Sequence, residues 1–282
     1  DIVLVTDGET VPLASTASGF AHGFGLFETM RYTDGQLFYW KDHWARLAKS
    51  AKHFALALPP EDAVLAALHS LVTKAKLTEG TLKLSLLKDT EGSCLYVYSR
   101  PPITSPNSNT LILNTTNPIY PRSLLAGHKT HNYMEVMHLL SLARAQAYYD
   151  CLRIDTNGFL AETATSNLFF LKDGRLHTPA LDTGILPGVP RAVLLRDCDL
   201  QIEEGHFVPE ILCDAEAVFV TNATSGLKII GRIDGFSAGQ SAQYSVASEA
   251  LSTIQFLFFS AHESRPLPLI RHTPSPAASL LP

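Results

Sequence analysis

A polar, proline-rich run from Pro101 to Asn109 (PPITSPNSN) divides this chain of 282 residues into two stretches, each with its own strand and helix patterns. The run has no apolar periodicity, and its prolines disfavour both helix and sheet. The fold is thereby limited to two units: residues 1–100, a linker at 101–109, and residues 110–263, followed by a proline-rich irregular tail at 264–282. No internal repeat competes with that division. Hydrophobic residues make up 46% of the chain, enough for a substantial core in one large or two moderate domains.

In the first unit, residues 27–33 and 36–40 predict two strands about Asp34-Gly35, a pair that suits a two-residue hairpin turn. Asp42 is placed to cap a helix in which Leu47, Ala48, Ala51, Phe54 and Ala55 face a core. Pro59-Pro60 breaks the chain, and Glu61 opens a second helix carrying Val64, Leu65, Leu68, Leu71 and Val72. Leu82, Leu84 and Leu86 alternate as a half-buried strand, and Leu95 to Tyr98 predicts another. In the second unit a strand is expected at Leu111 to Asn114 and a long helix from about Tyr133 to Tyr149. Short strands follow, punctuated by Asn157-Gly158 and Asp173-Gly174. A helix begins near Gly188 to Arg191, a strand covers Val218 to Thr221, and a last helix covers roughly Ala242 to Phe256.

Charge excludes some functions. The net charge is −5 and basic residues form no run, so no nucleic-acid footprint is expected. The first residues lack a basic segment followed by an apolar one, and no apolar run reaches the roughly 20 residues of a membrane span. Cys94, Cys151, Cys198 and Cys213 lie far apart and form no CxxC. They read as reduced thiols, two of them in strands, in a cytoplasmic protein with no metal site. Charged residues are 17% of the chain, below the roughly 25% usual in soluble proteins, which fits surface buried in an oligomer.

Two segments carry chemistry. Lys129 stands in Gly127-His128-Lys129-Thr130-His131-Asn132-Tyr133, among small and weakly polar neighbours just before the long helix. A lysine amine must be neutral to attack a carbonyl, so it needs desolvation or a nearby positive charge. Taken alone, such a lysine reads as an ordinary strand-end cation. The later segment Glu162-Thr163-Ala164-Thr165-Ser166-Asn167-Leu168-Phe169 changes that weighting. Together with Phe27-Glu28-Thr29-Met30-Arg31, His43-Trp44-Ala45-Arg46-Leu47 and Gly188-Val189-Pro190-Arg191, these blocks resemble, in the right order, the class IV (fold-type IV) pyridoxal-phosphate enzymes. That family includes branched-chain and D-amino-acid aminotransferases and 4-amino-4-deoxychorismate lyase. The resemblance covers most of residues 1 to about 258.

The resemblance implies an α/β (α+β) fold of two domains, with a small N-terminal α/β domain, a larger C-terminal domain with a barrel-like sheet, and the cofactor between them. It implies a homodimer acting on a small-molecule amino substrate. Lys129 would form the Schiff base with pyridoxal 5'-phosphate, and Glu162 would hold the cofactor's ring nitrogen. Arg46, Gly188, Val189, Thr224 and Ser225 would face the phosphate, and Tyr133 the phenolic oxygen. Thr29 would point near the lysine, with Phe27 and Arg31 lining the substrate pocket. Two departures stand out. Gly23-Phe24-Gly25 replaces the family's Gly-Asp-Gly, and Lys88-Asp89 replaces an Arg-Gly that helps bind a substrate carboxylate, so that Lys83, Lys88 or Arg31 would supply the charge. In addition, Pro190 stands where threonine is usual, removing one N–H. Thr178-Pro179-Ala180-Leu181-Asp182-Thr183-Gly184 is most similar to the lyase branch, which is slightly favoured over a branched-chain- or D-amino-acid-type transaminase. A non-catalytic fold relative is the remote alternative.

Overall fold

The computed structural model describes residues 1–5, 17–90, 92–101, 106–197, 201–236 and 239–244, and the backbone of 266–268. The first sheet contains β1 (Ile2–Val5), β2 (Gly25–Thr33), β3 (Gln36–Phe38), β4 (Glu79–Lys88) and β5 (Ser93–Arg100), joined at its edge by β16 (Pro266–Pro268), in the order β1-β5-β4-β2-β3-β16. Helices α1 (Ser18–His22), α2 (Trp40–His53) and α3 (Glu61–Lys74) belong to the same half of the chain.

Period-two alternation divides this sheet into two chemically different faces. Met30, Tyr32, Leu82, Leu84, Leu86, Leu95 and Val97 form one buried cluster with Leu47 and Ala51 of α2 and Val64, Leu68, Leu71 and Val72 of α3. Each such side chain contributes about 1.5–3 kcal/mol by leaving water, which holds the helices against that face. The intervening residues, Thr29, Thr81, Lys83, Tyr98 and Arg100, point to the other face by the β2–β4–β5 register. Asp34 and Gly35 both take positive φ, 49° and 79°, as a two-residue turn that matches strand twist requires.

The second sheet has ten strands: β6 (Thr110–Ile119), β7 (Asp150–Asp155), β8 (Leu160–Thr163), β9 (Asn167–Lys172), β10 (Arg175–Pro179), β11 (Ile202–Gly205), β12 (Ala217–Asn222), β13 (Gly226–Ile230), β14 (Arg232–Asp234) and β15 (Ser241–Gln243). Its path runs β11-β10-β9-β8-β7-β6-β14-β15, with β12 also on β9 and β13 on β12. Helices α4 (Met134–Ala145) and α5 (Val189–Asp197) complete it. Among the described residues no helix is long and apolar enough to cross a membrane.

Several expected boundaries move. Helix α2 starts at Trp40 behind Tyr39, so Asp42 lies in the first turn instead of capping, and its carboxylate pairs with Arg196 at 2.7 Å. Ala55 falls beyond that helix, exposed and at φ 52°. Helix α4 ends at Ala145 because Ala147 turns left-handed (φ 64°) and the Tyr149 amide donates to the Thr110 carbonyl (2.8 Å), leading into β7. The expected last helix is contradicted at its start, where Ala242 pairs with Ile233 in β15, and its remainder lies outside the described residues. The tail is not wholly irregular: Pro266–Pro268 pairs with β3.

Candidate active site

A cavity of 670 Å³, in the range of small-molecule sites, lies between the polar face of the first sheet and elements of the second half. Lys129 reaches it from a segment docked on the start of β2. The Phe27 amide donates to the Lys129 carbonyl and the His131 amide to the Gly25 carbonyl, both at 2.9 Å. Gly25 permits the approach of β4, since a Cβ there would come within 2.5 Å of Leu87 Cδ2 and 2.7 Å of the Leu86 carbonyl. The Lys129 ammonium sits 4.4 Å from the Phe27 ring centre and 5.3 Å from that of Tyr133, and it forms no ion pair among the described residues. Burial, and then the Arg46 charge, push its pKa down to about 8, against the pull of Glu28 and Glu162. Tyr133 lines the same wall at the start of α4, its hydroxyl pKa raised by burial and by Glu162.

Glu162 is the penultimate residue of β8, opposite Asn167 of β9. Its Oε1 accepts from the Leu186 amide (3.1 Å) and its Oε2 from Asn167 Nδ2 (3.0 Å). Burial raises its pKa to about 7, opposed by the Leu186 amide, Lys129 and Arg153. The turn after it is organised by Asp150, a buried carboxylate that accepts from the Thr163 and Thr165 hydroxyls and from the Cys151, Ala164 and Thr165 amides. A lysine pulled down and a glutamate pushed up bring both groups toward proton exchange near neutral pH.

Arg46 projects from α2 to the cavity wall. Its Nε and Nη2 donate to the two oxygens of Glu28 (2.8 and 2.7 Å), and its Nη1 donates to the Pro187 carbonyl (3.0 Å). His43 Nδ1 meets the same buried carboxylate at 2.7 Å. Just beyond Pro187, Gly188 is forced by packing: a Cβ there would collide with Asn167 Oδ1. Helix α5 then starts at Val189, with Pro190 in the first turn, where its lack of an N–H costs no helical bond. Nearby, Asn222 Oδ1 accepts from the Thr224 amide and hydroxyl and the Ser225 amide, and Asn222 Nδ2 donates to Ser166 Oγ.

Of the residues singled out in the sequence, Thr29, Arg46, Lys83, Lys129, Tyr133, Glu162, Gly188, Val189, Thr224 and Ser225 line one cavity. Phe27 lies behind them, its ring 4.7 Å from the Lys83 ammonium. Arg31 and Lys88 do not line it. The Arg31 guanidinium sits 5.8 Å over the Phe38 ring, and Lys88 ends β4 at a hairpin where the Asp89 amide donates to the Gly92 carbonyl. Sequence reasoning missed Arg100, Asn167, Asn222 and Arg153, which do line it. Asn167 and Asn222 stood inside or beside motifs already noted. Arg100 ends a strand, where only register shows which way it faces.

The donor set fits a phosphate-bearing pyridine cofactor. The Thr221 hydroxyl borders the cavity, buried and without a hydrogen-bond partner, beside the Asn222–Ser225 loop and the start of α5. The profile of the amino-transferase class IV family matches residues 25–233. The chain belongs to that family. Class IV aminotransferases depend on pyridoxal phosphate, and this protein is a pyridoxal-phosphate-dependent enzyme. It is 26% identical over 267 residues to the aminodeoxychorismate lyase of Bacillus subtilis, covering 85% of this chain and 86% of that one. It is 28% identical over 241 residues to a probable branched-chain-amino-acid aminotransferase of Rickettsia felis, covering 74% and 77%. Its fold-type IV architecture is shared with a putative 4-amino-4-deoxychorismate lyase of Legionella pneumophila (TM-score 0.83, 24% identity, 92% of this chain and 99% of that one). It is shared too with a hypothetical aminotransferase of Mycobacterium tuberculosis in its α-ketoglutarate- and PMP-bound form (TM-score 0.80, 20% identity, 92% and 95%).

Proposed function

We propose that this class IV enzyme is a 4-amino-4-deoxychorismate lyase, releasing pyruvate and leaving 4-aminobenzoate. The observation that carries the chemistry is the sharing of one cavity by Lys129 and Glu162 with displaced pKa values. The lyase branch is supported by the Thr178–Gly184 segment and by the likeness to the Bacillus subtilis lyase over most of both chains. The Rickettsia felis likeness favours the second reading, a branched-chain- or D-amino-acid-type transaminase.

In this reading Arg46, the Gly188-Val189 amides, Thr221, Thr224 and Ser225 hold the phosphate, Glu162 the ring nitrogen and Tyr133 the phenolic oxygen. Pyridoxal phosphate, when bound, supplies a ring that accepts the charge left when a substrate proton is removed. The chain supplies the rest. Lys129 Nζ would hold the cofactor covalently and then carry the proton, for which a pKa near 8 leaves about a tenth of the amine neutral at pH 7 and more above it. Glu162, fixed by two donors, keeps a proton or a strong hydrogen bond at the ring nitrogen. Thr29 faces the lysine from β2, and Lys83 binds a substrate carboxylate in place of the missing Arg-Gly.

We place the enzyme in the cytoplasm as a homodimer. Exposed Tyr120, Leu125 and Met137 border the cavity, with Leu124 beside Leu125 and Met134 three residues before Met137 on α4, an apolar rim suited to a second copy. The deciding experiment offers the purified yellow protein aminodeoxychorismate and, separately, a panel of D- and L-amino acids. Pyruvate release without bleaching by amino acids supports the lyase, whereas bleaching by an amino acid establishes the transaminase. Lys129→Ala must lose both the visible absorbance and turnover, and full activity in that variant ends the assignment.

A further inference from the structure

We propose that Arg100 is a second anion anchor in this cavity, so that favoured substrates carry a further carboxylate distant from the reacting amine. The inference rests on the site reading above and adds to it a residue and a substrate class.

The β2–β4–β5 register sets two neighbouring rows on the polar face: Thr29, Lys83 and Tyr98, then Arg31, Thr81 and Arg100. These rows hold three cations and no carboxylate. Arg31 is engaged over Phe38, which leaves Lys83 and Arg100 in the cavity wall. Neither forms an ion pair among the described residues. Of the other basic groups lining the cavity, Arg46 is matched by Glu28 and Arg153 by Glu135, whereas Lys129, the reacting amine, and Arg144, exposed on α4, form no ion pair among the described residues.

The Tyr98 ring lies between the two cations, 5.8 Å from the Lys83 ammonium and 5.9 Å from the Arg100 guanidinium, and its hydroxyl is held by Ser85 Oγ at 3.1 Å. Lys83 also shares the Phe27 ring with Lys129, so it is the cation nearer the reacting amine. Arg100 stands one row farther along the strand, about 7 Å on by strand geometry, a span that a short dicarboxylate bridges. The repulsion is unrelieved: burial, and then Arg100, lower the Lys83 pKa to about 8. An anion seated against both would relieve it, and a guanidinium suits a carboxylate through paired N–H donors.

The test compares glutarate with valerate, which share a five-carbon chain and differ by the second carboxylate. Their binding to the cofactor-loaded protein is measured by calorimetry for wild type, Arg100→Met and Arg100→Lys. Wild type is expected to prefer glutarate about tenfold, Arg100→Met to lose that preference, and Arg100→Lys to recover part of it. Arg100→Gln, at the same exposed strand end, serves if the methionine variant does not fold. An unchanged glutarate preference without Arg100, or no preference in wild type, overturns the proposal. Neither ligand has an amine to react, so the result is independent of turnover. Absence of the lysine-bound chromophore from the same samples counts against the site reading alone.

Discussion

Lys129 and Glu162 are displaced in opposite directions by one cause, burial of a charge, and their mutual attraction only partly offsets it. The proposed covalent uptake of the cofactor needs neutral Lys129, so its rate is expected to rise with pH through a midpoint near 8, not 10.5, in stopped-flow reconstitution. Glu162→Gln is expected to retain cofactor while turnover falls by about 100-fold or more, the scale of a lost proton-handling group. Wild-type turnover in that variant removes the role assigned to it. Glu28 is the opposite case. Burial alone would raise its pKa, but Arg46 and His43 hold it at about 2, below the usual 4.5. Its stabilisation is therefore fully present above pH 4.5 and lost as pH falls toward 2, an effect of a few kcal/mol at about 1.4 per unit. Urea titrations of wild type and Glu28→Gln should converge across that window. That Lys129, Arg46 and Glu162 belong to one site was legible because their motifs are local. The hydrogen-bonded cluster of Glu28, His43 and Arg46 was not, since it joins a strand to a helix across a core.

At the scale of elements, turns and periodicities carried most of the information. Asp34-Gly35 and Asp173-Gly174 both adopt the paired positive φ angles their residue types favour. The alternating leucines of β4 are buried in register. Helix ends were read less well, because Ala147 takes a left-handed conformation for a tertiary bond and not for its own propensity. The start of α5 is the element on which the proposed cofactor holding depends. Gly188→Ala is expected to push against Asn167 and so disturb both Glu162 and the helix start. Cofactor affinity, followed by absorbance, should fall about tenfold or more while circular dichroism is retained. Wild-type affinity would show that the loop yields at no cost.

For the whole molecule, the cavity depends on two sheets brought together by the Phe27–Lys129 and Arg46–Pro187 contacts. The apolar rim beside it is expected to be covered by a second copy. Sedimentation equilibrium should give about twice the 30.8 kDa chain mass. Leu124→Glu with Met134→Glu should shift it to the monomer, since a buried unpaired carboxylate opposes association. A wild-type protein that sediments as a monomer would refute the homodimer.

The sequence by itself determined the family and the cofactor, because those depend on residue types at short, ordered spacings. Periodicity and turn chemistry also marked many of the strands and helices, though not β15, which takes the start of the expected last helix, or β16, which lies in the expected irregular tail. Tertiary structure alone decided which cations line the cavity. Arg31, Lys83, Lys88 and Arg100 carry the same charge, and only strand register, a neighbouring ring and a hairpin end place Lys83 and Arg100 in the cavity and the other two outside it. Charge is a property of the side chain, whereas its direction is a property of the fold.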